Sequence, residues 1–263
     1  IDDDVILHRA VLLPGMAADV FRQASLEISV KEDGHSVPCR ITVTDVDGFL
    51  APLYVTADRN LAIRPGVVYT LNGKMRAGLL PGRYKIYATR GFEYSMASQE
   101  VEVKAGSKSK VTLRIKREVL MPGYVSCDTH IHVRTFSGHG DSTVEERIPT
   151  IAGEHIELAV ATDHNVHADY EPFQQEAGAD KFFTTVIGNE VTTKVGHFNA
   201  FPIKKGSPVV DHRSEDWPTL MSRMRNTPGV QVIQLNHPRN VHSGFSPTSS
   251  DHFNFATGQN LRG

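Results

Sequence analysis

Tyr124-Val-Ser-Cys-Asp-Thr-His-Ile-His132 is a short apolar run that ends in two histidines one residue apart. Side chains at i and i+2 leave a strand on the same face, so both imidazoles reach one ion without special turn geometry. The arrangement recurs downstream. Ile156-Glu-Leu-Ala-Val-Ala161 runs into Thr162-Asp163-His164-Asn165, and Phe182-Phe-Thr-Thr-Val-Ile187 runs into Gly188-Asn-Glu190. Val230-Gln-Val-Ile-Gln-Leu235 runs into Asn236-His237-Pro238-Arg239, and another strand begins at His197-Phe-Asn-Ala-Phe201. Strands that end side by side in His, Asp and Glu are the layout of a multi-metal site.

Helical stretches separate these strands. Thr143-Val-Glu-Glu146 carries the Ser/Thr-x-x-Glu capping pattern, which starts a helix running from Glu145 to about His155. Tyr170 to Asp180 and Asp216 to Asn226, with Pro218 in its first turn, read as two more. Alternating strands and helices imply a parallel sheet or barrel with its chemistry at the carboxyl ends of the strands. The histidines follow the same division: of thirteen, only His8 and His35 precede Met121.

The N-terminal half has a different texture. Ser25-Leu-Glu-Ile-Ser-Val30, Arg40-Ile-Thr-Val-Thr44, Arg83-Tyr-Lys-Ile-Tyr-Ala88, Gln99-Glu-Val-Glu-Val103 and Lys110-Val-Thr-Leu-Arg-Ile115 alternate polar and apolar residues. Each can bury one face of a sheet. Asp33-Gly34, Asp47-Gly48, Asn72-Gly73, Pro81-Gly82 and Ala105-Gly106 supply the turns. Pro122-Gly123 marks the boundary, giving an all-β domain over 1–120 and a second domain over 121–263.

Lys and Arg number 28 and Asp and Glu 30, for a formal net charge of −2, interspersed along the chain, so no run of charge draws it to nucleic acid or an anionic membrane. Nor does any apolar stretch approach the ~20 residues of a membrane span. The chain opens on Ile1-Asp-Asp-Asp with no initiator Met and no basic, apolar leader. Two cysteines, Cys39 and Cys127, lack the spacing of a zinc knuckle or a redox pair.

The first domain resembles the carboxypeptidase regulatory-like or transthyretin-like β-sandwich, most clearly in Leu80-Pro-Gly-Arg-Tyr-Lys-Ile-Tyr-Ala88 and Val101-Glu-Val-Lys-Ala-Gly106. That resemblance implies a structural or surface-binding module beside an exported enzyme, and hence a periplasmic or extracellular location. The second domain resembles the PHP (polymerase and histidinol phosphatase) superfamily, in its carbaryl hydrolase-like branch. His130 and His132 match the family's first motif, Asp163-His164 its second, Glu190 its third, and His197 and His237 its later histidine motifs. The resemblance implies a distorted β/α barrel, incomplete here because the closing Asp-x-His motif is absent. Asp251-His252 lacks the intervening residue and falls early, in a Ser- and Asn-rich loop. It also implies a ligand just before the helix, for which His139 is favoured over Asp141.

By the same resemblance, His130, His132 and Glu190 hold one ion, and Glu190, His197 and His237 a second, with Glu190 bridging. His139 and His164 contribute to a third. The expected cofactors are therefore two to three divalent ions, zinc, manganese or iron. Asp128 and Asp163 are placed to fix imidazole tautomers, and Asp163 and Arg239 are the candidate catalytic residues beyond the metal ligands. Lys194 is a further candidate for holding an anionic substrate group. Metal-activated water then makes a nucleophilic Ser or Cys unnecessary, and no Gly-x-Ser-x-Gly or Walker loop occurs. The leading expectation is a phosphoesterase acting on a small-molecule mono- or diester. A carbamate or carboxylic ester hydrolase, with an apolar pocket around Phe136, Phe198 and Trp217, is the alternative. A metal-binding or adhesion protein with a degenerate barrel is the third reading. No nucleic-acid partner is expected, and the sequence leaves the oligomeric state open.

Overall fold

The computed structural model describes residues 15–238, 245, 246 and 248–262. They fall into two compact units. The first reaches Arg90 and resumes over Tyr94–Glu118; the second comprises Gly91–Glu93 and the chain from Val119.

After a short helix, α1 (Ala17–Val20), the first unit is a β-sandwich. Its strands are β1 (Ala24–Glu32), β2 (His35–Ser36), β3 (Cys39–Asp45), β4 (Tyr54–Val55), β5 (Leu61–Arg64), β6 (Val67–Thr70), β7 (Lys74–Leu79), β8 (Gly82–Thr89), β9 (Ala97–Val103) and β10 (Lys108–Arg114). One sheet has the order β10-β1-β7-β4, with β2 also paired to β1; the other is β5-β6-β3-β8-β9. β1 and β10 run parallel, Glu27 opposite Lys110, while β1 and β7 are antiparallel, Glu27 opposite Arg76. The alternation read in the sequence is realised as burial. Leu26, Ile28 and Val30 face Ile41, Val43 and Ile86 in one apolar core, while Ser25, Glu27 and Ser29 point outward. Cys39 lies in this core, and burial pushes its thiol up to about 12 despite nearby Arg90, which makes it a packing residue.

The second unit begins with β11 (Cys127–Ile131), α2 (Arg134–Ser137), α3 (Val144–Gly153) and β12 (Leu158–Ala161). It continues through α4 (Glu171–Glu176), β13 (Thr184–Ile187), β14 (Asn189–Thr193), β15 (Gly196–Phe201), α5 (Trp217–Arg225) and β16 (Val232–Asn236), with β17 (Phe253–Asn254) and β18 (Gln259–Asn260) as a small hairpin. β11-β12-β13 is a parallel sheet and β14-β15-β16 an antiparallel one. Thr143 caps α3 as its sequence promised. Its hydroxyl accepts from the Glu146 N–H and the Glu146 carboxylate accepts from the Thr143 N–H, while Val144, Ile148 and Ile151 are buried.

The expectation of a distorted α/β barrel is corrected. Among the described residues no barrel closes, and strand outweighs helix. The reason lies in the connections: only Gly188 separates β13 from β14, and two residues, Lys194 and Val195, join β14 to β15. β14 carries on in the direction of β13, as the parallel bridge of His164 to Glu190 shows, and since a parallel crossover needs a dozen or more residues the chain can only turn back on itself between β14 and β15. No helix among the described residues is long and apolar enough to cross a membrane.

Candidate metal centre

The antiparallel sheet sorts its side chains sharply by face. Register places Glu190 opposite Asn199, and His197 opposite both Thr192 and Asn236. Cross-strand partners and i, i+2 neighbours share a face, so Glu190, Thr192, His197, Asn199 and Asn236 all project to one side. Val191, Phe198 and Ala200 project to the other, where they pack with Trp217, Leu220 and Met224 of α5. β11 delivers His130 and, one residue past its end, His132. The segment after β12 delivers His164, whose backbone bridges to that of Glu190.

Five imidazoles converge on Glu190, whose side chain is fully buried. Oε1 lies 3.3 Å from His130 Nε2, 3.2 Å from His197 Nδ1 and 3.7 Å from His237 Nε2. Oε2 lies 3.1 Å from His132 Nε2 and 2.9 Å from His164 Nδ1. Neither approach to Oε2 has hydrogen-bond alignment, so this oxygen accepts none. His139 completes the group, its ring centroid 5.8 Å from that of His132 and 4.8 Å from that of His164. Burial by itself pushes the Glu190 carboxyl up, but the imidazoles of His130, His132, His164 and His197 outweigh it and hold the group far below the usual carboxylate range. Glu190 is an anion here.

Polar side chains behind the cluster fix its geometry. Asn236 Nδ2 donates to Glu190 Oε1 at 2.9 Å and to Asn199 Oδ1 at 2.7 Å, and Asn199 donates to the Thr129 carbonyl. His164 Nδ1 meets Thr192 Oγ1 at 2.6 Å and His132 Nδ1 meets Ser137 Oγ at 3.2 Å. Asp163 is buried one step further back. It accepts from the Val133 N–H, Ser137 Oγ and Tyr170 Oη. It therefore orients His132 through Ser137 and does not itself meet an imidazole. Burial, with Asp163 adding to it, raises the Tyr170 hydroxyl far above its ordinary range and keeps it a donor. Asn165 and His237 both have positive φ, 53° and 49°, an uncommon backbone state for residues other than glycine that tends to collect at functional sites.

The geometry thus gathers His130, His132, His139, His164, Glu190, His197 and His237, and offers two ligand triads that share Glu190. These are His130, His132 and Glu190, and His164, Glu190 and His197, with ligand atoms within 4.8 Å of one another in each. The second triad contains His164 where the sequence suggested His237. Asp141 is exposed and lies 3.7 Å from Arg147, away from the role weighed for it against His139. Asp128 accepts from the His130 N–H and stabilises the strand end. Lys194 sits on an exposed turn 3.5 Å from Glu215. Phe198 and Trp217 pack against each other in the core under the sheet, and the apolar pocket expected of them is corrected accordingly. His252 stacks on Phe245 and accepts from Arg262. Arg239 lies outside the described residues. Thr192, Asn199, Ser137 and Tyr170 carried no sequence signal of their own, because their part depends on cross-strand register and on loop folding.

The donor set fits a cation on the structure's own terms. Imidazole nitrogens and a carboxylate are ligands that zinc, manganese and iron accept. The close approach of two ring nitrogens to Oε2 without hydrogen-bond alignment is what a shared positive ion would relieve.

No family model and no curated protein matches the chain. Similar solved structures include GBS52, the minor pilin of Streptococcus agalactiae, at 19% identity over 39% of this chain and 48% of that one, with a TM-score of 0.29. The Bacillus anthracis TIE protein is similar at 16% identity over 36% of this chain and 16% of that one, TM-score 0.26. The pilus-presented adhesin Spy0125 is similar at 19% identity over 37% and 28%, TM-score 0.22. The chain spans less than half the length of each of these. The expectation of a PHP-family hydrolase is corrected: the α/β barrel that would carry it does not form among the described residues, and no family model matches. The phosphoesterase reading, with its ester-hydrolase alternative, is corrected along with that barrel.

Proposed function

We propose that this chain is a metal-binding protein whose second unit holds two divalent ions around a shared Glu190. His130 and His132 complete one ligand set, and His164 and His197 the other. His139 and His237 stand at the rim of the cluster, where either can add a ligand. The observation that supports this reading is the convergence of five imidazoles on both oxygens of one fully buried carboxylate. A buried anion needs a compensating charge. A bound divalent ion supplies that charge and ties β11, the segment after β12, β14 and β15 to one point. The role is then structural and sequestering, with Asn236, Asn199, Thr192 and Ser137 orienting the ligands. Export belongs to the same reading, with the β-sandwich as the module carried beside the metal-binding unit.

The test is elemental analysis of the purified chain after equilibrium dialysis against zinc, manganese or iron, in the parent and in Glu190→Gln. The proposal expects about two ions per chain in the parent and at least a tenfold weaker affinity in the variant. Equal metal content in the two would overturn it.

A further inference from the structure

The outer face of the β10-β1-β7-β4 sheet carries positive charge that the chain as a whole does not have. Strand parity and register place Lys108, Lys110 and Arg114 of β10, Lys31 of β1, and Lys74 and Arg76 of β7 on this face. Among the described strand residues of the face, Glu27 is the one acid, and it lies 3.5 Å from Lys110 and 3.9 Å from Arg76. Neither Lys74 nor Lys108 has a carboxylate within ion-pair distance among the described residues. A cleft of about 810 Å³ runs along this side of the sheet, lined by Arg22, Glu27, Tyr54, Asp58, Lys74 and Lys108 among others. Asp58 at its rim is engaged locally, accepting from both the backbone and the side-chain amide of Asn60.

Lysine on an edge strand discourages pairing with a second sheet, which accounts for part of β10. It does not account for the cleft, where cations from β7, β10 and the segment before β1 flank Ser29. We propose that this cleft binds an acidic polysaccharide. Its acid groups pair with cations held at two strand spacings, roughly 10 Å across the sheet, and about 7 Å along it. Its hydroxyls meet Ser29 and the amide of Asn72. Single-stranded nucleic acid calls for exposed aromatic faces on which bases stack; Tyr54, the aromatic residue of the cleft, has Arg22 placed over its ring at 5.4 Å.

The experiment measures binding of the full chain to alginate and to dextran sulfate, with neutral dextran, polyglutamate and an oligothymidylate as comparators, at low and at moderate salt. Alginate or dextran sulfate should bind more tightly than each comparator and weaken as salt rises. The fourfold charge reversal Lys74→Glu, Arg76→Glu, Lys108→Glu, Lys110→Glu should raise the dissociation constant at least tenfold. If that variant fails to fold, Lys74→Gln with Lys108→Gln decides the matter through an expected weakening of about threefold. Undiminished binding by a folded variant, equal binding of neutral dextran, or tighter binding of polyglutamate or oligothymidylate would overturn the proposal.

Discussion

Tyr170 shows how a residue far from any ligand position controls one. Its hydroxyl, 1% exposed as a residue, donates to Asp163, which holds Ser137, which meets His132. Tyr170→Phe leaves Asp163 Oδ2 without that donor, a buried loss of about 1–3 kcal/mol. Urea denaturation should show it as a lower midpoint with an unchanged slope. Asn236 acts more directly, donating to Glu190 itself. Asn236→Ala should weaken zinc binding about 10- to 100-fold, as loss of a ligand-orienting partner does, with the fold retained by circular dichroism. Unaltered affinity would show that Glu190 is held without it. His130, His132, His164, Glu190 and His237 were legible in the sequence as candidate ligands because each follows an apolar run, whereas His197 opens one. Their orienting partners were not, since nothing local distinguishes Asn199 or Thr192 from ordinary sheet residues.

Among the elements, α3 and α5 owe their starts to caps that operate differently with pH. The Thr143 cap is uncharged. Thr143→Ala should cost about 1 kcal/mol at neutral and acidic pH alike, read from thermal unfolding. Asp216 caps α5 as a carboxylate, and the Thr219 hydroxyl and N–H hold its carboxyl below the ordinary value. Its contribution is therefore present above the unfolded value of about 3.9 and is lost as pH falls through the lower folded one. The stability gap between parent and Asp216→Ala should be open at pH 7 and close in strong acid. A gap that persists there would contradict this. The strands of the sandwich and the start of α3 were readable from period-two alternation and the capping pattern. The antiparallel turn-back after β14 was missed because Gly188-Asn-Glu190 reads as a strand end, while β14 begins one residue after β13 and carries the chain on to the turn at Lys194-Val195. The basic sheet face escaped notice for a related reason: charges that alternate in sequence with Ser, Val and Leu are gathered on one side only once the strands pair.

At the scale of the whole molecule, the two units have separate cores, one built on Leu26, Ile28 and Ile41 and one on Phe198, Trp217 and Leu220. Leu26→Ala should cost about 2–5 kcal/mol in the sandwich alone and leave zinc content unchanged. Chelation should lower only the unfolding transition of the second unit, because an ion bound to the folded state adds to its stability by mass action. A calorimetric scan with and without chelator separates the two. The account rests on a cation at Glu190, and anomalous diffraction at the zinc edge from crystals grown with zinc addresses it most directly. The predicted result is anomalous density between the Glu190 carboxylate and the imidazoles of His130, His132, His164 and His197. Density confined to surface histidines, or none within ligand distance of Glu190, would contradict the account.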